Sequence, residues 1–146
     1  FHDAYNRVME ALAADDLAKA TEGWARLSKA LPGVDPALLP RRAREAWNVE
    51  KARLQAAVAT GAKSKEIEAL RGSFEKVSRS LIALEEVFGH QGPAKYYRAF
   101  CPMAFDDKGA PWIQRDDEIR NPYFGAKMYR CGDITDVYPG LAGGGR

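Results

Sequence analysis

The sequence predicts an all-α fold, a four-helix antiparallel bundle with an aromatic-rich, loop-dominated C-terminal region. Residues 1–89 repeat apolar side chains every three or four positions among Ala, Leu, Glu, Lys and Arg, as amphipathic helices do. Residues 90–146 hold both cysteines and most of the proline and glycine, which favours loops. A length of 146 residues with 46% hydrophobic side chains fits a single domain, residues 1–146.

The first two helices follow each other closely. Tyr5, Val8 and Leu12 mark one face of the first helix, and Asp15 is the expected N-cap of the second. The apolar stripe of the second helix comprises Leu17, Ala20, Trp24, Leu27 and Leu31. We expect Leu31-Pro32-Gly33 to end it.

Two longer helices complete the predicted bundle. Asp35-Pro36 begins the third helix, which runs to about Thr60 and closes at Gly61. Ser64 is the expected N-cap of the fourth, which ends at Gly89. The stripe of this fourth helix is unbroken and comprises Ile67, Leu70, Phe74, Val77, Leu81, Leu84 and Phe88.

The tail reads as packed loops, because its density of Tyr, Phe and Trp must bury area on the bundle. Asp106-Asp107-Lys108-Gly109 indicates a turn, and Ala110 to Gln114 predicts a short strand paired near Phe105. Residues 90–142 form the predicted site region, and residues 143–146 are expected to fray.

Charge and composition exclude several function classes. A formal net charge of +2 argues against nucleic acid or an anionic membrane as the principal partner. No apolar run is long enough to span a bilayer, and Phe1 opens directly into a helical pattern, which predicts a mature or excised domain. The chain has two histidines and no Ser-His-Asp order or phosphate loop, so we do not expect an enzyme.

Both cysteines have a methionine nearby, in Cys101-Pro102-Met103 and in Met128-Tyr129-Arg130-Cys131. Thiolate and thioether together favour Cu(I) or Ag(I). An extended backbone before Pro102 would point residues 101 and 103 to one side, and a helical turn would align Met128 with Cys131. Arg98, Lys127 and Arg130 are local cations that could offset the charge of such a site.

Three other interpretations stay open at this point. In an oxidising compartment, two cysteines 30 positions apart are simply explained as a disulfide. They are alternatively two unrelated buried thiols, or a redox pair that switches between a disulfide and a metal-loaded form. His90 and His2 are further candidate ligands, whereas the paired aspartates lack the spacing of a calcium loop.

Three segments of the tail carry a family resemblance: residues 101–105 (CPMAF), 108–114 (KGAPWIQ) and 119–132 (IRNPYFGAKMYRCG). They resemble the domain-of-unknown-function family numbered 3347, whose pattern includes CPMA and INPYFGxxMxxCG. In the helices, Ala11 to Asp16 and the RxxFxxxS residues Arg71, Phe74 and Ser78 match more loosely. Where many relatives place a histidine before the phenylalanine of that stretch, this chain has Ser73.

The resemblance implies a function. That domain is similar to the C-terminal module of periplasmic adaptor subunits of copper- and silver-type efflux pumps. It implies an exported, periplasmic setting, efflux-pump, adaptor or chaperone proteins as partners, and Cu(I) or Ag(I) ligands at Cys101, Met103, Met128 and Cys131. Because this chain has Ser73 at that position, it either lacks this imidazole ligand or uses His2 or His90 in its place.

The sequence therefore predicts a metal-binding module that captures or hands over a soft ion by ligand exchange, without membrane insertion. Its rival is an efflux-adaptor interaction domain, stapled by a Cys101 to Cys131 disulfide, that binds no metal. Trp112, Tyr123 and Phe124 are expected to wall the site or to pack on the bundle.

Overall fold

The computed structural model describes residues 1–31 and 35–140. Four long helices come first: α1 (His2–Ala13), α2 (Leu17–Lys29), α3 (Arg41–Ala62) and α4 (Ile67–Phe88). Three strands follow: β1 (Tyr96–Cys101), β2 (Ala110–Gln114) and β3 (Asp133–Tyr138). The helical half of the prediction is confirmed. The expectation of an all-α fold is wrong, because the tail contains a sheet.

The three strands form one antiparallel sheet in the order β2-β1-β3. The strand predicted at Ala110–Gln114 is confirmed, but it pairs with residues 97–101 rather than with residues near Phe105. Phe105, Asp106 and Asp107 have φ angles of 52°, 55° and 63°. This left-handed backbone cannot extend a strand, so it forms the connection between β1 and β2.

The sheet is a layer of the core. Helix α1 packs on α2, α3 packs on α4, and α4 packs against β2. Every residue of β2 is buried, which explains its nearly continuous apolar sequence. The largest fully buried side chains come from both halves of the chain and include Tyr5, Trp24, Phe74, Trp112 and Ile113. The tail was predicted to be loops packed on the outside of a bundle. It instead contributes a sheet to the same hydrophobic core as the helices.

The caps of α2 and α4 differ from those expected. Asp16 rather than Asp15 caps α2, since its Oδ1 accepts a 2.9 Å hydrogen bond from the Lys19 amide. Ser64 does not cap α4, because its hydroxyl donates to the Thr60 carbonyl and α4 begins three residues later. Gly89 ends α4 as predicted, with a φ of 66°.

Helix α3 starts later and ends later than predicted. Pro36–Leu38 form a separate 3₁₀ turn, and the helix begins at Arg41 after Pro40. It continues through Gly61, where a Cβ atom would lie only 2.1 Å from Cζ2 of Trp24. Gly61 therefore permits close packing instead of ending the helix. The predicted stop at Pro32-Gly33 and the frayed residues 143–146 lie outside the described residues.

Candidate metal site

The fold brings the two cysteines together. Cys101 is the last residue of β1 and is fully buried, whereas Cys131 is partly exposed just before β3. Their Sγ atoms lie 3.6 Å apart, and both are free thiols. The separation exceeds a disulfide bond of about 2.05 Å. It is close to the ~3.8 Å expected between two thiolates that share one tetrahedral ion at about 2.3 Å each.

Asn121 holds the segment that carries Cys131. Its buried amide donates from Nδ2 to the Cys131 carbonyl at 2.9 Å. Its Oδ1 accepts the amides of Tyr123 and Phe124 at 2.8 and 3.1 Å. Asn121-Pro122 thus begins a turn, and the asparagine side chain connects this turn directly to the cysteine.

Gly132 is a residue of this site that the sequence analysis missed. Its φ is 129°, and an added Cβ would lie 2.9 Å from the Phe100 carbonyl and 3.0 Å from the Trp112 ring. Only glycine fits so close to β1 in this conformation. In the sequence, a glycine directly after Cys131 was the feature that could have indicated this close approach.

Arg71 links the helices to the site. Its side chain is 5% exposed. Nε donates to the Pro122 carbonyl at 2.8 Å, and Nη2 donates to the Leu12 carbonyl at 2.8 Å and to Asp15 at 2.7 Å. Hydrogen bonds from the Ala126 amide and from Arg71 lower the pKa of Asp15, which keeps this carboxylate ionised.

The other residues of the RxxFxxxS stretch also reach the tail. The Phe74 ring lies 6.0 Å from the Tyr123 ring and stacks on Tyr5 at 4.8 Å. The Ser78 hydroxyl is 2.7 Å from the Tyr5 hydroxyl, which accepts the Ile113 amide at 3.1 Å. This stretch therefore joins α4 to α1 and to the sheet.

The surroundings of Cys131 favour its protonated thiol. Burial, followed by the hydrogen bond with Cys101, raises the pKa of the Cys131 thiol. A redox-active cysteine needs a depressed pKa, so Cys131 lacks the signature of an attacking thiolate. A metal ion would have to displace the protons of the ligating thiols.

Cys101 is extended at the end of β1, as predicted, but Met103 does not continue the strand. Its φ and ψ are −92° and −8°, because the chain turns after Pro102 into the left-handed segment. Met128 ends a 3₁₀ turn, Gly125–Met128, and its carbonyl accepts the Cys131 amide at 3.0 Å. The turn expected before Cys131 is therefore present.

The two methionines share a cavity of about 590 Å³ whose lining includes neither cysteine. The cavity also has aromatic and charged walls. Its other lining residues are Glu68, Arg71, Phe105, Asp106, Asp107, Tyr123, Phe124 and Lys127. The structure thus places the thiols as one pair and the thioethers as a second, adjacent set.

The aromatic residues and cations expected around the metal site lie in several different places. Tyr123 and Phe124 line the methionine cavity, whereas Trp112 is fully buried against the Tyr123 ring at 5.8 Å. Arg98 pairs with Glu86 at 3.1 Å. Arg130 pairs with Glu118 at 2.7 Å, which leaves Lys127 as the one of the three predicted cations in the cavity lining.

The structure does not bring the histidines to the thiols. His2 and His90 each contact Tyr96 with ring centroids 4.6 Å apart, at the start of β1. Cys101 lies at the other end of that strand, about 16 Å away at 3.3 Å per residue. The imidazoles meet instead on Glu85, with His2 Nε2 at 3.4 Å from Oε2 and His90 Nδ1 bonded to Oε1.

Within residues 1–31 and 35–140, no three His, Cys, Asp or Glu side chains are arranged so that they could hold a metal ion. The donors at the thiols are the two cysteine sulfurs, and Met103 and Met128 lie two and three residues from them along the chain. Such a set suits a soft monovalent ion better than a hard divalent one.

Comparison with known families assigns the chain. A family model described as "Protein of unknown function (DUF3347)" matches residues 2–92, more than half of the sequence. The chain belongs to the DUF3347 family. The match covers the four helices and ends before Cys101, so the assignment to DUF3347 rests on the helical half. No curated protein matches the chain, and no solved structure does. None of the helices described is long and apolar enough to cross a membrane.

Proposed function

We propose that this DUF3347 chain is a periplasmic module that binds Cu(I) or Ag(I) as cargo and captures it or hands it over in heavy-metal efflux. The observation that carries the proposal is the 3.6 Å separation of the Cys101 and Cys131 sulfurs. Two thiolates at this spacing need only a small adjustment to hold one soft ion between them.

The unequal exposure of the two thiols supports transfer by ligand exchange. Cys101 is buried, so it serves as the fixed ligand, while the partly exposed Cys131 is the one that an incoming sulfur ligand can reach. A partner that supplies a thioether or thiolate replaces one ligand at a time, and the ion is never free in solution. No covalent change in the protein is required.

The efflux setting is supported by resemblance. The tail motifs around Cys101 and Cys131 are similar to those of periplasmic adaptor modules of copper- and silver-type pumps. We propose such an adaptor, pump or chaperone as the partner, with no resident cofactor and no catalysis by the module itself.

The test is a Cu(I) titration of the anaerobically reduced protein against a chromophoric chelator. We expect tight one-to-one binding by the wild type and at least about a hundredfold weaker binding by Cys101→Ser and Cys131→Ser, since each loses one of two thiolates. Met9→Leu is the control because Met9 is buried in α1. Circular dichroism must show that each variant is folded, and unchanged affinity in folded cysteine variants overturns the proposal.

The same distance supports a second candidate, a disulfide-stapled interaction domain of an efflux adaptor that binds no metal. Closing the thiols from 3.6 Å to a disulfide requires a shift of about 1.6 Å. This candidate predicts no reactive thiols in protein isolated from its native compartment. It also predicts no gain in stability when Cu(I) is added to the reduced form, whereas a ligand at 100 times its Kd adds about 2.7 kcal/mol.

A further inference from the structure

The cavity that contains Met103 and Met128 lies beside the thiol pair but is distinct from it. Both thioethers line it, whereas neither Cys101 nor Cys131 does. Thioether sulfur binds soft monovalent ions and competes poorly for hard ones. The cavity therefore offers a second set of soft ligands that the dithiol site does not use.

Met103 is better placed than Cys101 to meet an ion from solvent. Met103 is 46% exposed, although methionine is usually buried, whereas Cys101 is 0% exposed. The chain also keeps this turn in a costly conformation, since three successive non-glycine residues, 105–107, have positive φ. The fold thus presents Met103 at the surface instead of packing it.

Chain connectivity keeps the two sets of sulfurs close. Met103 is two residues from Cys101, which limits their Cα atoms to about 7 Å. Met128 accepts the Cys131 amide in a turn, which holds those Cα atoms within about 7 Å as well. Each methionine is therefore held within about 7 Å, between Cα atoms, of one of the two cysteines.

The charges of the cavity favour a cation. Its lining has three carboxylates, Glu68, Asp106 and Asp107, against the two cations Arg71 and Lys127. Arg71 is already paired with Asp15 and with Glu68, and it donates to two backbone carbonyls. That leaves Asp106 and Asp107 against Lys127. An approaching monovalent cation therefore meets an acidic wall next to two soft ligands.

We propose that this cavity is the entry site for the metal: Met103 and Met128 take up Cu(I) or Ag(I) first, and the ion then passes to Cys101 and Cys131. The inference rests on the proposed function. The thioethers bind the ion weakly and set the rate of uptake, and the thiolates set the final affinity. Protons leave the thiols at the second step.

The test separates rate from affinity. Stopped-flow mixing of the reduced protein with Ag(I) measures uptake by the wild type and by the double variant Met103→Leu, Met128→Leu. Leucine keeps the size and removes the sulfur, so the fold is preserved. We expect uptake about tenfold slower in the double variant, with the equilibrium Kd within about threefold of the wild type. Met9→Leu, which changes the buried methionine of α1, should match the wild type.

Each contrary result has a distinct meaning. Wild-type uptake rates in a double variant that still binds through its thiols overturn the entry site and leave the proposed function intact. A Kd weakened by more than about tenfold also overturns it, because the methionines are then permanent ligands. No binding by the wild type refutes the proposed function and the entry site together.

Discussion

At the scale of single residues, Arg71 is the connection on which the site depends. A guanidinium that is 5% exposed is tolerated only when its donors are satisfied. Here the partners are carbonyls at the end of α1 and in the Asn121-Pro122 turn, together with Asp15. The residue therefore fixes the position of the turn that bears Cys131 relative to the helices.

Substitutions at two glycines test whether the turn that bears Cys131 tolerates displacement. Gly132→Ala places a Cβ 2.9 Å from the Phe100 carbonyl at a φ of 129°, so we expect a loss of about 2 kcal/mol or more. Gly72→Ala is the matched control: this glycine lies inside α4 with no atom within 4 Å of the added carbon. Alanine there should stabilise by about 0.5–1 kcal/mol. Urea unfolding measures both.

The reaction of the thiols with a bifunctional soft reagent gives a second readout. Displacing Gly132 moves Cys131 away from Cys101, so Gly132→Ala should cross-link through the two sulfurs more slowly than Gly72→Ala. Equal stability and equal cross-linking in the two variants would show that the close approach at Gly132 is not needed.

At the scale of elements, the helices were predictable because burial on one face leaves a period of 3.6 residues in the sequence. The stripe from Ile67 to Phe88 and its end at Gly89 are both present in α4. The errors lie at helix ends, where Asp15 and Asp16 are adjacent and equally good caps. Tertiary contact decides between them, because Asp15 is held by Arg71.

The sheet was predicted only in part, for a physical reason. Residues 96–101 (YYRAFC) and 133–138 (DITDVY) are rich in aromatic and β-branched residues, which favours strands. Strand β3 is exposed along most of its length, so it lacks the apolar alternation that marks a half-buried strand. The pairing of the two cysteines was one of the interpretations drawn from the sequence. The separate cavity of the methionines depends on the left-handed turn at residues 105–107, which no residue pattern in the sequence indicates.

The junction of α4 with β1 should make stability depend on pH. Burial lowers the pKa of His90, but its hydrogen bonds to Glu85 and to the Ala94 carbonyl raise it by more, so it lies above 6.5. Burial raises the pKa of Glu85, yet the bonds from His2 and His90 lower it below 4.5. The His90 contribution is complete below pH 6.5 and is lost as pH rises through the folded pKa. That of Glu85 is present above pH 4.5 and is lost as pH falls through its folded pKa.

Stability from this cluster should therefore be greatest between about pH 4.5 and 6.5. Urea midpoints measured from pH 4 to pH 9 test the expectation. His90→Gln should flatten the decline above pH 6.5, because glutamine keeps a polar side chain but does not titrate. Arg26→Gln, on the exposed Arg26–Glu22 pair of α2, is the control and should leave the profile unchanged. The same decline in His90→Gln as in the wild type would exclude His90 as its source.

At the scale of the whole molecule, the family match covers a shorter stretch of the chain than the part that folds as one unit. The match covers residues 2–92, but α4 packs against β2, and Tyr5 of α1 bonds to the Ile113 amide. Without the tail, Phe74 loses Tyr123 and Arg71 loses the Pro122 carbonyl. The helices alone would leave an apolar face and a buried charge uncovered.

A fragment of residues 1–92 should therefore fail to fold cooperatively. We expect it to keep helical far-ultraviolet dichroism, to bind a hydrophobic dye, and to unfold in urea over a broad range without a defined midpoint. The full chain, under the same conditions, should show one sharp transition. Adding a peptide of residues 93–146 should sharpen the transition of the fragment, because Tyr123 and Ile113 then regain their partners on α4 and α1. A fragment that unfolds sharply at the midpoint of the full chain would mean that the sheet contributes little to the core, and that the helices alone position the residues that meet the thiol site.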